Sequence, residues 1–226
     1  MSKRLIIDLL RHGACHDGDI YRGRTDSLLS EQGWRQMDRA FVAVASVPYQ
    51  ALFSSPLQRC LLPAQQLSQR LELPLKTDVR LREIDFGDWD GQLYAKVWQH
   101  SQQQVLDFWD DPSANPPPAG ESLQALQCRL QEFVAQQLEP LLQAEPQSVC
   151  ADSAEADRYL LCLCHGGVIR TLLTLLLGMP FAVAQKISLD YGSLTRIELY
   201  FDAGSATGYQ SQLIFLNRMP DLENYQ

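Results

Sequence analysis

Four short motifs, scattered through 226 residues, carry side chains that together suit phosphoryl transfer. Arg11-His12-Gly13 and His165-Gly166-Gly167 each set an imidazole beside glycine, Arg59 follows Ser54-Ser55-Pro56, and Glu83 heads a run of carboxylates and aromatics ending at Gly91. A transferring phosphoryl group needs positive hydrogen-bond donors around its equatorial oxygens, and an arginine fork meets two at once. An imidazole near neutrality can attack phosphorus and hold the group covalently. The departing alkoxide then needs a proton. A carboxylic acid such as Glu83, held protonated by its surroundings, can give that proton and later take one from the attacking water. Glycines after His165 open backbone N–H groups at a helix start, where anions bind. Each residue also has a plainer reading. A histidine alone is usually structural, Arg59 alone suits a helix surface, and Asp85, Asp88 and Asp90 rival Glu83 or merely cap turns. Two histidines in one setting, strand before and glycine after, favour function.

These residues need elements to carry them. Leu5, Ile6, Ile7, Leu9 and Leu10 form an apolar run too short for a membrane span, which reads as a buried, parallel strand ending at Arg11. In open α/β sheets ligands bind beyond the carboxyl ends of strands. Neighbouring strand residues point to opposite faces, so Arg11 and His12 share a ligand only if the strand ends there, and Gly13 lets the backbone turn. Asp8 interrupts the run, as an edge position or a buried hydrogen-bonded partner. Residues 14–30 lack any period and read as a loop. Ser30 caps a helix to about Ser46 with Trp34, Met37, Phe41 and Val44 inward, and residues 51–53 form a second strand. Ser-Ser-Pro predicts a helix with Pro56 first and Arg59 in its first turn, shortened or kinked at Pro63. Residues 81–91 fit no regular element. Helices are expected over 93–109 and 122–142, the latter disturbed by Pro140, with a proline-rich link between and a polar surface loop over 144–157. Residues 159–164 repeat the strand pattern before His165 and a helix over 168–177. Thr195, Ile197, Leu199 and Phe201 alternate as one strand face, paired with residues 212–216. Trp98 reads as core.

Composition narrows the class. The chain is 46% hydrophobic and 20% charged, which suits one globular domain. A formal charge of −8 disfavours nucleic acid. The charge is uneven: residues 1–82 hold 12 Lys+Arg against 8 Asp+Glu, and residues 83–226 hold 7 against 19. A cationic pocket in an acidic body suits a small phosphorylated metabolite. No leader or membrane span is evident, so the expected location is the cytoplasm, and no oligomeric state is implied. Six cysteines without a C-x-x-C pair read as reduced thiols, with Cys162 and Cys164 in the core.

Read together, Leu10-Arg11-His12-Gly13, residues 54–59, Leu81-x-Glu83 with Phe86-Gly87, and residues 165–170 resemble the histidine phosphatase superfamily. That resemblance implies a phosphoglycerate-mutase-like three-layer α/β sandwich: a mostly parallel sheet covered by helices on both faces, with a helical insertion at about 86–142. It implies His12 as nucleophile, Glu83 as proton donor, a phosphate clamp of Arg11, Arg59 and His165, and no metal or other cofactor; Gly166, at the helix-start anion site, joins that clamp. Residues 82–91, Phe108-Trp109 and Gly120-Glu121-Ser122 look most like alpha-ribazole phosphatases of cobalamin biosynthesis. A phosphoglycerate mutase, a broad-specificity phosphatase and a phospho-ligand binding module are the alternatives. Candidate substrate contacts are Tyr21, Gly23, Arg24 and Thr25, with Arg22 beside them, and Trp89 in a segment with Phe86, Phe108 and Trp109 that can roof the pocket. The chain departs from the common pattern at Ala14-Cys15-His16.

Overall fold

The computed structural model describes residues 4–143 and 157–219. Six strands, β1 (Arg4–Arg11), β2 (Tyr49–Ser54), β3 (Leu75–Thr77), β4 (Arg158–Cys164), β5 (Leu194–Phe201) and β6 (Tyr209–Arg218), form one sheet in the order β3-β2-β4-β1-β5-β6. The first four strands of that order run parallel, and β5 and β6 are antiparallel additions. Alternation along the strands fills two cores. Leu9, Cys162 and Cys164 face one cluster, and Leu10, Leu161 and Leu163 face the other. Burial on both faces explains why these strands are almost wholly apolar, with Asp8 the one interruption. Helices α1 (Glu31–Val44) and α2 (Gln58–Leu71) cover one face; α4 (Leu123–Phe133) and α6 (Gly166–Leu177) cover the other. This is the three-layer α/β sandwich expected. Helices α3 (Tyr94–Asp110), α5 (Glu139–Gln143) and α7 (Phe181–Ala184) complete the described elements, with 3-10 turns at Val79–Leu81 and Gly87–Trp89. Among the described residues no helix is long and apolar enough to cross a membrane.

The two central strands of the sheet, β4 and β1, position the site. β1 pairs with β4 in parallel, Arg11 opposite Cys164, so the residues that follow, His12 and His165, leave the sheet side by side. From β1 the chain passes to β2 on one side, and from β4 to β5 on the other, which opens a crevice between the two strand ends. β1 is therefore not purely parallel, because β5 pairs with it antiparallel. Nor is Asp8 at an edge. It is buried in this central strand, where the Arg196 guanidinium donates from Nε and Nη2, each at 2.8 Å, and the Tyr49 hydroxyl donates as well. Burial and the adjacent carboxylate push the Tyr49 phenol far above its usual range.

Several local expectations change. Ser30 caps α1 as its spacing predicts, its Oγ accepting the Gly33 N–H at 3.0 Å. α2, however, is preceded by Leu57, because Ser54 completes β2 and the Ser55 hydroxyl is taken up by His165. Arg59 still falls in the first turn. Pro63 does not stop α2, since Cys60, Ala64 and Leu67 pack into the core and carry the helix through to Leu71. The helix expected over 93–109 breaks at Ser101 (φ −142°, ψ 31°). That over 122–142 is interrupted by a π-turn at Val134–Leu138, which leaves Pro140 in the first turn of α5, where a missing N–H is tolerated. Phe201 is exposed at the end of its strand, and Trp98 is not core but 43% exposed. Most of the polar segment 144–157, with Cys150, lies outside the described residues.

Candidate active site

β1 ends at Arg11, so His12 is free to turn toward the crevice alongside it. Gly13 serves a close approach rather than a special turn: a Cβ there would lie 2.3 Å from the Gly33 carbonyl oxygen of α1. His12 is buried, and its Nδ1 lies 2.7 Å from the Gly13 carbonyl oxygen. A carbonyl can only accept, so Nδ1 carries the proton and Nε2 keeps its lone pair. Burial, reinforced by the Arg59 and Arg11 charges, holds the His12 pKa well below the ordinary imidazole value. The arrangement presents a neutral nucleophile.

Behind His12 lies a second imidazole. The rings of His12 and His165 are 5.2 Å apart, edge to face. His165 Nδ1 accepts from Arg59 Nε at 3.2 Å, which leaves Nε2 to donate to Ser55 Oγ at 2.8 Å. Burial first, and then Arg59 and His12, keep His165 neutral too. Arg59 is fully buried, and its remaining nitrogens donate to the carbonyls of Thr25 (2.8 Å), Arg22 (3.1 Å) and Gly23 (3.0 Å). It therefore ties the 22–25 loop to the His165 ring. Glu83 reaches the start of α6, where its Oε2 accepts the Gly167 N–H at 3.1 Å while Oε1 accepts the Ile84 N–H at 3.1 Å.

A cavity open to solvent is bordered by His12, Arg11, Arg22, Glu83, Gly166 and Arg170 on its polar side. Arg11 Nη1 donates to the Leu189 carbonyl, its guanidinium lies 4.0 Å over the Tyr191 ring, and its Nε is buried without a partner among the described residues. The sequence pattern of the histidine phosphatase superfamily, branch 1, matches residues 7–211. The chain belongs to that superfamily. It is 32% identical to a glucosyl-3-phosphoglycerate phosphatase of Mycobacterium tuberculosis over 80% of this chain and 78% of that one. It is 24% identical to an adenosylcobalamin/alpha-ribazole phosphatase of Escherichia coli over 84% and 88%. A solved structure described as mycobacterial hydrolase 2 superposes with a TM-score of 0.84 at 27% identity, over 98% of this chain and 93% of that one.

This histidine phosphatase gathers some of the residues singled out in its sequence and disperses others. His12, Arg11, Glu83, Gly166 and Tyr21 border the cavity; Arg59 and His165 lie buried behind it. Gly23, Arg24, Thr25 and Trp89 do not border it. The Asp90 carboxylate takes the N–H groups of Gly23, Arg24 and Thr25 at 2.7–2.9 Å, so it builds the loop that Arg59 grips. Arg24 turns outward to Asp85 at 3.1 Å. Trp89 is only 3% exposed and packs its ring 5.2 Å from Tyr21 and 5.7 Å from Phe108. It lies under the aromatic wall and not in it; Phe86, Phe108 and Trp109 do border the cavity. Sequence reasoning missed Arg170, Tyr191 and Phe181. Arg170 was visible in His165-Gly166-Gly167-Val168-Ile169-Arg170, one helical turn past Gly166, which places it on the same face. Tyr191 and Phe181 carry no local signal.

Proposed function

We propose that this histidine phosphatase hydrolyses phosphomonoesters through a phosphohistidine at His12, and that alpha-ribazole 5'-phosphate is the substrate its cavity suits best. The observation that carries the chemistry is the Nδ1 contact of His12 with the Gly13 carbonyl, which frees Nε2 beside Arg11 and Glu83. The Nε2 lone pair attacks phosphorus while Arg11 and the Gly166 end of α6 hold the phosphoryl oxygens. The ester P–O bond breaks as Glu83 gives its proton to the leaving oxygen. Water then attacks the phosphohistidine, Glu83 takes its proton, and the P–N bond breaks to release phosphate and the neutral imidazole. Arg59 and His165 hold the 22–25 loop and back His12 from behind, and the Arg59 guanidinium supplies positive charge near the phosphoryl site.

The far side of the cavity is Tyr21, Phe86, Phe108 and Trp109, flat apolar faces that favour a heteroaromatic base joined to ribose phosphate. A second reading, a phosphorylated carboxylic acid such as glucosyl-3-phosphoglycerate, draws support from Arg170, which borders the cavity and among the described residues donates only to the Ile187 carbonyl. The test is kcat/KM across alpha-ribazole 5'-phosphate, glucosyl-3-phosphoglycerate and 3-phosphoglycerate. Alpha-ribazole 5'-phosphate is expected to lead. A lead for either glycerate, reversed by Arg170→Met, would select the second reading.

A further inference from the structure

Outside the cavity runs a shallower groove lined by Tyr21, Tyr94, Ala95, Trp98, Val105 and Trp109, with no charged side chain. Tyr94, Trp98, Val105 and Trp109 recur at helical spacing along one face of α3, and the break at Ser101 sets the two halves of that face at an angle. The aromatic surface is left to solvent: Tyr94 is 47% exposed, Trp109 46% and Trp98 43%. Scattered exposed apolar residues are ordinary, but a contiguous apolar patch marks a binding surface. This one adjoins the active site. Tyr21, Tyr94 and Trp109 border both the groove and the His12 cavity, so an occupant leaving the cavity past Tyr94 and Trp109 meets the groove next.

We propose that the groove is an outer subsite for the leaving group, which makes the preferred substrates phosphomonoesters whose uncharged apolar body extends beyond the cavity. The proposal rests on His12 as the site of phosphoryl transfer. Adjacency decides the occupant: the cavity holds the cations that a phosphate needs, while the groove offers mainly ring faces and no charge. A glycerate would find no charged partner there, and either it or a sugar would lose hydration for few hydrogen bonds. An alkyl chain or fused ring would gain from every methylene it buried.

Initial rates of phosphate release from n-alkyl phosphates, ethyl to decyl, below their micellar concentrations, test this. In the wild-type enzyme kcat/KM is expected to climb with length, by roughly threefold per methylene once the chain reaches the groove. Trp98→Ala, at a half-exposed position, should lower the decyl-to-ethyl ratio about tenfold, and Trp98→Phe should restore most of it. A ratio equal in wild type and Trp98→Ala would overturn the proposal. So would sedimentation showing a dimer that Trp98→Ala dissociates with no chain-length effect, because the groove would then belong to a second copy. If the wild-type enzyme turned over no ester at all, the phosphatase reading would fall first and the subsite with it.

Discussion

Gly167→Ala tests the acid–base role of Glu83 without touching its carboxyl group. Gly167 is the second residue of α6, and a Cβ built there would sit 2.4 Å from Glu83 Oε1 and 3.3 Å from its Cδ. Ordinary contact begins near 3.4 Å, so the carboxyl must retreat by about 1 Å and lose its hydrogen bond from the Gly167 N–H. A misplacement of that size at a reacting group costs roughly 10²-fold in rate. The loss should depend on the leaving group, since only a poor one needs a proton as it departs. The assay is kcat/KM for phosphomonoesters of graded leaving-group pKa. Gly167→Ala should steepen that dependence, slowing alkyl esters about 100-fold and 4-nitrophenyl phosphate little, and Glu83→Gln should give the same slope. Alanine favours a helix over glycine by about 1 kcal/mol, so the variant should be no less stable than wild type. An unchanged slope in Gly167→Ala would refute the placement of Glu83 as the proton donor; equal losses on all esters would point to damage at the phosphoryl site instead.

Replacing His12 by alanine should abolish turnover, and rapid alkaline quenching of the wild-type enzyme should recover phosphate on His12; label on His165 would reverse the two roles. Stability should fall with acid. Both imidazoles are held below their ordinary value of about 6.5 in the folded protein, so below that pH the unfolded chain binds protons that the folded chain refuses, at up to about 1.4 kcal/mol per pH unit for each ring. Urea midpoints should drop between pH 7 and pH 5, less so in His12→Ala, and identical slopes in the two proteins would exclude His12 as a contributor. Trp89→Ala should cost about 3 kcal/mol in stability, because it empties a site packed against Tyr21 and Phe108. Intact stability with altered substrate preference would instead return Trp89 to the cavity.

Forces that act locally leave their mark on the sequence, and forces set by chain path do not. Strand ends at Arg11 and Cys164 were legible because burial on both faces demands largely apolar runs, and the glycines after each histidine punctuate them. From those ends alone, parallel pairing of β1 with β4 places His12 beside His165. The partners of Arg59 were not legible, because it donates to three loop carbonyls, and a carbonyl's position depends on chain path and not on residue type. The same holds for Asp90. Its side chain looks like any turn aspartate in a run of four acids, yet it organises the loop at residues 23–25 from more than sixty positions away. Trp89 shows the opposite failure. Aromatic content in residues 86–109 does announce an apolar wall, but whether a given ring faces the cavity or the core beneath it depends on the 3-10 turn at Gly87–Trp89 and on the break in α3. That turn requires Gly87 at φ +54°, packed where a Cβ would lie 2.2 Å from the Pro118 carbonyl oxygen. Phe86 faces the cavity and Trp89 the core, two rings of one loop with the left-handed Gly87 and Asp88 between them.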